Sequence, residues 1–161
     1  MRLLRLVIFS LLALFLVVTG ISLFIPAHVR ISRAVNLAPG SDSVLRRIRD
    51  ARQWPAWYPG LADSGSQSFR VQDSSHVDLE GTQITLRQPG PDEVQAEYRS
   101  GNRRPVLGAW KLIRYGGSDS LTLQWYMDFH LRWYPWEKFF SLVYDKMYGT
   151  RMEQGLNRLK K

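Results

Sequence analysis

Cysteine is absent from the 161-residue chain, which removes disulfide frameworks, thiolate zinc sites, cysteine nucleophiles and lipid-modified cysteines together. Histidine is scarce: His28, His76 and His130 lie far apart, and none has a metal-type partner at helical or hairpin spacing. The sequence also lacks a Gly-rich phosphate loop, a Gly-x-Ser-x-Gly elbow and a His-Glu-x-x-His helix, so nucleotide, serine hydrolase and metalloprotease chemistry have no local support. No metal and no cofactor are expected.

One long apolar run is present. Leu6 to Ile25 carries no charge and ends at Pro26. At about 1.5 Å per residue, a helix of that length crosses about 30 Å of hydrocarbon. It exceeds the roughly 7 to 15 apolar residues of a signal-peptide core, and no small-x-small cleavage site follows, so it reads as an uncleaved anchor. Residues 1–27 are therefore assigned to a membrane anchor and residues 28–161 to one domain of ordinary size. Arg2, Arg5 and the amino terminus precede the run, whereas Arg30 and Arg33 lie a few residues beyond it. The positive-inside bias then favours a cytoplasmic N-terminus and a single-pass protein whose domain sits on the non-cytoplasmic side.

Hydrophobic residues make up 45% of the chain and charged residues 22%, enough apolar material for a real core and too much for disorder. Net charge is +8, or +6 once Arg2 and Arg5 are set aside. The basic residues cluster at Arg46, Arg47, Arg49 and Arg52, at Arg103 and Arg104, and at Arg158, Lys160 and Lys161. No stacking aromatics or reading motif accompany them, so nucleic acid is not an expected partner. For a domain tied to a bilayer, attraction to anionic head groups or plain solvation is the simpler account.

Val29, Ile31, Val35 and Leu37 alternate with polar residues as one buried face of a strand, with Arg33 on the same inward phase. After Ala38-Pro39-Gly40, Ser41 or Asp42 can cap a short helix that turns Val44, Leu45 and Ile48 inward. Trp54-Pro55-Ala56-Trp57-Tyr58-Pro59-Gly60 allows at most another short helix.

From Ser66 to Arg132 the period is two, and turn chemistry punctuates it at Gln88 to Asp92, Ser100 to Asn102 and Tyr115 to Asp119. Val77 and Leu79 give way to Thr82, Ile84 and Leu86, a phase change that a bulge at Gly81 would explain. The last strand is read over Leu121 to Trp133, with Leu121, Leu123, Trp125, Met127, Phe129, Leu131 and Trp133 on its dry face.

Pro135 is expected to open a long helix reaching the C-terminus. Its first half places Trp136, Phe140, Val143 and Met147 on one face, and its second half places Met152, Leu156 and Leu159 on nearly the opposite one. A straight stripe cannot include both, so a kink or a change of packing partner is expected near Gly149. The plan is α+β: a strand, two short helices, about six antiparallel strands, then a helix that the curved sheet can wrap.

The segments Ile31 to Pro39, Trp54-Pro55-Ala56-Trp57-Tyr58-Pro59, Tyr134 to Phe139, Met147-Tyr148-Gly149 and Gly155 to Lys160 resemble the SRPBCC superfamily. This is the START-like, birch-pollen-allergen-like group, also labelled polyketide cyclase or dehydrase. The resemblance covers Val29 to Lys161 and rests on packing motifs. It implies the helix-grip fold and a cavity that takes a lipid, sterol, polyketide or other apolar molecule, and it brings no shared catalytic residue.

The residues expected between sheet and helix, and so lining any cavity, are Trp110, Trp125, Met127, Phe129, Trp133, Trp136, Phe140, Val143 and Met147. Tyr126, Asp128 and His130 could form an acid–base group but share the wet phase of their strand. Glu80, beside Gly81, could turn toward the cavity. The expectation is a membrane-anchored domain that binds a small apolar or amphipathic ligand without chemistry. The alternatives are a cyclase, dehydrase or hydrolase of the same fold and a filled, ligand-free interaction domain.

Overall fold

The computed structural model of the chain describes residues 2–38, 43–59, 61, 69–114 and 121–160. A long helix, α1 (Arg2–Leu23), precedes β1 (His28–Leu37), α2 (Ser43–Arg49) and a 3-10 turn (Ala51–Ala56). Six strands follow: β2 (Phe69–Val71), β3 (His76–Leu79), β4 (Thr82–Gly90), β5 (Glu93–Ser100), β6 (Val106–Arg114) and β7 (Leu121–His130). The chain ends with α3 (Pro135–Ser141), a π turn (Asp145–Gly149) and α4 (Thr150–Lys160).

The strands form one antiparallel sheet in the order β1-β7-β6-β5-β4-β3-β2, a run of sequential hairpins with the first strand returning beside the last. β1 and β7 pair along their full length, from His28 opposite His130 to Leu37 opposite Leu121. That register puts Ile31, Leu37, Leu123, Trp125 and Met127 on the buried face. α4 lies across β1 and β7 and buries Met152, Leu156 and Leu159, while α2 buries Val44, Leu45 and Ile48. This is the α+β helix-grip arrangement.

Three local expectations are corrected. Gly81 does not make a bulge: Leu79 pairs with Thr82, and Glu80 and Gly81 form a two-residue hairpin turn with φ of 52° and 77°. Both central residues in the left-handed region suit the twist of a tight hairpin, so the phase change is a change of strand. β7 stops at His130, three residues before Trp133; the Leu131 amide makes one last bond in the β1–β7 register, to Ala27 O at 2.8 Å, before the chain leaves the sheet. The C-terminal helix is not continuous: α3 ends at Ser141, and the helix resumes through the π turn that ends at Gly149. The expected break near Gly149 is this π turn. The proposed caps at Ser41 and Asp42 and the turn at Tyr115 to Asp119 lie outside the described residues.

One part of the interior is an aromatic block. Trp54 stacks on Tyr58 at 4.7 Å, Trp110 lies 5.0 Å from Trp125, and Trp57 meets both Trp110 and Trp125 edge-on. Trp54 Nε1 donates to Ile48 O at 2.9 Å, which fastens the 3-10 turn to α2. Aromatic pairs at such spacings add roughly 0.5–1.5 kcal/mol each beyond their buried area.

Candidate functional site

Beyond the aromatic block the grip of sheet and helix leaves space. A cavity of about 340 Å³ lies between β3, β4, β5 and β7 on one side and α4 on the other. Its apolar wall comes from alternating positions: Leu79 of β3, Ile84 of β4, Val106 of β6, and Trp125, Met127 and Phe129 of β7. Tyr148 and Met152 close it from the helix side, and Tyr58 and Pro59 from the segment after the 3-10 turn. The volume falls within the range of about 300–1,000 Å³ that holds small organic ligands. Gly155 brings the helix this close to the sheet, since a Cβ there would stand 3.0 Å from both Pro59 Cδ and Trp125 Cζ3.

Polar groups sit in two tiers. At depth, Tyr58 and Tyr98 are both lining residues; burial pushes Tyr58 up to about 12 and lifts Tyr98 well above the usual phenol range. The Tyr58 and Tyr98 hydroxyls act on each other, whereas Trp125 Nε1 is buried without a partner among the described residues. An unsatisfied buried donor costs about 1–3 kcal/mol, which a ligand acceptor would recover. Nearer the edge stand Glu80, Arg103, Arg104 and Arg151. Glu80 therefore borders the cavity from a hairpin turn, although the expected bulge is absent.

A second cavity of about 490 Å³ adjoins the first and shares Arg103, Arg104, Val106, Phe129 and Tyr148 with it. Trp136, Glu137 and Phe140 of α3, Tyr144 and Arg132 form its other sides.

The nine expected lining residues separate into groups. Trp125, Met127 and Phe129 line the first cavity, and Phe129, Trp136 and Phe140 line the second. Trp110 is fully buried in the aromatic block and lines neither cavity. Trp133, Val143 and Met147 also line neither and are exposed, Trp133 by 63%. The physical reason is the phase of the helix. With Met152, Leu156 and Leu159 turned onto the sheet, Val143 and Met147 fall on the opposite side, while Trp136 and Phe140 stand on the separate α3 beside the second cavity. Tyr58, Ile84, Tyr98, Arg103, Arg104, Arg151 and Met152 were not among the expected lining residues. Ile84 carried an inward-phase signal and Arg103 and Arg104 a charge signal, but nothing local marks Tyr58 or Arg151.

Tyr126, Asp128 and His130 lie on the outer side of β7. Asp128 accepts both nitrogens of a bidentate Arg30, Nε and Nη2, at 2.7 Å, and its Oδ1 is 3.2 Å from His28 Nε2. Arg30 holds the Asp128 carboxyl below the usual range, with burial opposing it and His28 adding a smaller effect. His28 stacks on His130 at 4.7 Å, and Arg30 lies 4.6 Å over the Tyr126 ring. Tyr126 and Asp128 line neither cavity, and His130 borders only the second. The arrangement locks β1 to β7 across the strand pair.

Neither a family model nor a curated protein matches this sequence. The fold does have counterparts among solved structures. A protein from Nitrosospira multiformis superposes with a TM-score of 0.58 at 12% identity, over 82% of this chain and 94% of that one. The di-domain ARO/CYC StfQ from the steffimycin biosynthetic pathway superposes with a TM-score of 0.58 at 11% identity, over 83% of this chain and 50% of StfQ. A protein from Chromobacterium violaceum gives 0.53 at 13% identity, over 84% and 96% of the two chains. At such identities these likenesses show the fold alone.

Proposed function

We propose that this protein is a membrane-anchored binding domain for a small amphipathic ligand, seated in the cavity between sheet and α4 and released unchanged. The anchor is α1, which is long and apolar enough to cross a membrane; the positive-inside bias would put the domain on the non-cytoplasmic side. The observation that carries the reading is the pairing of an apolar wall with the buried Tyr58 and Tyr98 hydroxyls and with Trp125 Nε1, which has no partner among the described residues. An apolar tail would lie on Ile84, Met127, Phe129 and Met152, gaining about 25 cal/mol for each Å² removed from water. A ligand acceptor would meet the deep donors, and an anionic group would meet Arg103, Arg104 and Arg151, none of which has a carboxylate partner among the described residues. Fold relatives that include a di-domain ARO/CYC are compatible with an organic ligand in this position.

Native mass spectrometry of the full chain, extracted in mild detergent, tests the reading. A co-purifying adduct of lipid-like mass is expected. Thr82→Trp, which places an indole in the cavity wall, should remove that adduct while leaving the circular dichroism spectrum unchanged. An adduct-free wild type that also fails to bind an added fatty acid would overturn the proposal.

A further inference from the structure

An apolar face on α3 and the turn after it is left largely uncovered. Trp133, Trp136, Phe140, Leu142, Val143 and Met147 are between 43% and 67% exposed and lie on or beside α3 and the turn that follows it. Scattered exposed apolar residues need no explanation, but a contiguous aromatic and aliphatic face does.

Its position points to the occupant. α3 packs against α1, and the domain covers α1 only over its last turns: Val18, Thr19 and Gly20 are partly covered and Ser22 is fully buried, while Leu3 to Val17 stand clear. Lys138 of α3, itself 7% exposed, donates from Nζ to Ile25 O at 3.0 Å and so ties α3 to the chain leaving α1. α1 also works as a ruler. From Leu6 to Leu23 at about 1.5 Å per residue it measures about 27 Å, close to the roughly 30 Å of bilayer hydrocarbon. With Arg2 and Arg5 at one interface, Val18 to Leu23 reach the other, and α3 lies beside them.

Resting on the reading of α1 as a membrane span, we infer that the exposed face of α3 and the following turn is embedded in the interfacial layer of the same bilayer. Its composition fits that layer: Trp133, Tyr134 and Trp136 have the amphipathic rings that settle at head-group level, and Arg103, Arg104 and Arg132 adjoin α3 across the second cavity, where anionic head groups would pair with them. A consequence is that Trp136 and Phe140, which border the second cavity, place its opening at the membrane surface.

The absence of cysteine makes a direct test possible with the full chain. Single cysteines are introduced as Trp136→Cys and Leu142→Cys on the face, Phe15→Cys in mid-α1, and Gln88→Cys on the exposed end of β4. Each is labelled with a nitrobenzoxadiazole dye and reconstituted into phosphatidylcholine–phosphatidylglycerol vesicles containing nitroxide-labelled lipid. All four sites are exposed, so folding is not at stake. Expected are strong loss of fluorescence at Phe15→Cys with acyl-chain nitroxide, loss at Trp136→Cys and Leu142→Cys greatest with head-group or shallow nitroxide, and no loss at Gln88→Cys. Quenching at Phe15→Cys but not at the α3 sites would overturn the inference with the anchor intact. Unquenched α3 labels that are nevertheless blue-shifted would assign the face to a second copy of the chain and overturn it equally. No quenching at Phe15→Cys would remove the anchor itself and the inference with it, whatever the ligand measurement shows.

Discussion

The guanidinium of Arg33 lies directly against Gly149: a Cβ at that glycine would stand 2.8 Å from Arg33 Cζ. Arg33 reaches across from β1, donating from Nε to Glu153 Oε1 at 2.6 Å and pairing through Nη2 with Asp145 at 2.9 Å. An inward-phase arginine on the first strand is thus held by two carboxylates that bracket the π turn. The missing side chain at position 149 is what lets the strand and the turn approach.

Gly149→Ala should therefore destabilise the domain by roughly 1–2 kcal/mol, because overpacking against a tethered guanidinium outweighs the gain in helix propensity. In an Arg33→Ala background the same substitution should be neutral or stabilising. A double-mutant cycle by urea unfolding in detergent checks this, and additive effects would show that the contact does not matter.

Stability should fall at both ends of the pH scale. Arg30 depresses the Asp128 carboxyl below its unfolded value, so its contribution is complete above the ordinary carboxylate range and is lost as pH falls through the folded pKa. Burial raises Tyr58 from 10.0 to about 12, so the unfolded chain releases that proton first and stability declines as pH climbs through that interval. Asp128→Asn should flatten the acid limb of the unfolding midpoint against pH, and Tyr58→Phe should flatten the alkaline limb.

Two tryptophans at opposite extremes of exposure should behave oppositely. Trp54, fully buried in the aromatic block, should cost roughly 3–5 kcal/mol as Trp54→Ala. Trp136, 61% exposed, should change the stability of the detergent-solubilised chain by no more than about 0.5 kcal/mol as Trp136→Ala. Thermal unfolding of the two variants side by side decides the matter.

Replacing the arginines at the cavity edge should alter preference more than capacity. Arg104→Ala combined with Arg151→Ala is expected to weaken binding of a fatty acid by roughly 10- to 150-fold, as loss of charge-assisted hydrogen bonding worth roughly 1.5–3 kcal/mol would do. Binding of the corresponding fatty alcohol should be nearly unchanged. Equal losses for acid and alcohol, measured by displacement of a fluorescent probe, would remove the head-group role.

By itself the sequence determined the order of elements, the inward phase of Ile31, Ile84, Trp125, Met127 and Phe129, and the α+β plan, because alternation and turn residues are local signals set by the pleat and by φ. It also marked the conflict between the two halves of the C-terminal helix, since a stripe that changes sides is visible in residue spacing alone. Only the tertiary structure decided which half turns onto the sheet. Both stripes are apolar, and the choice rests on Gly155 admitting Trp125 and Pro59 while Gly149 admits Arg33. The site followed the same division: the β7 wall was legible, whereas Tyr58, Tyr98, Arg103, Arg104 and Arg151 come together from separate elements, a convergence that depends on contacts between residues distant in the chain.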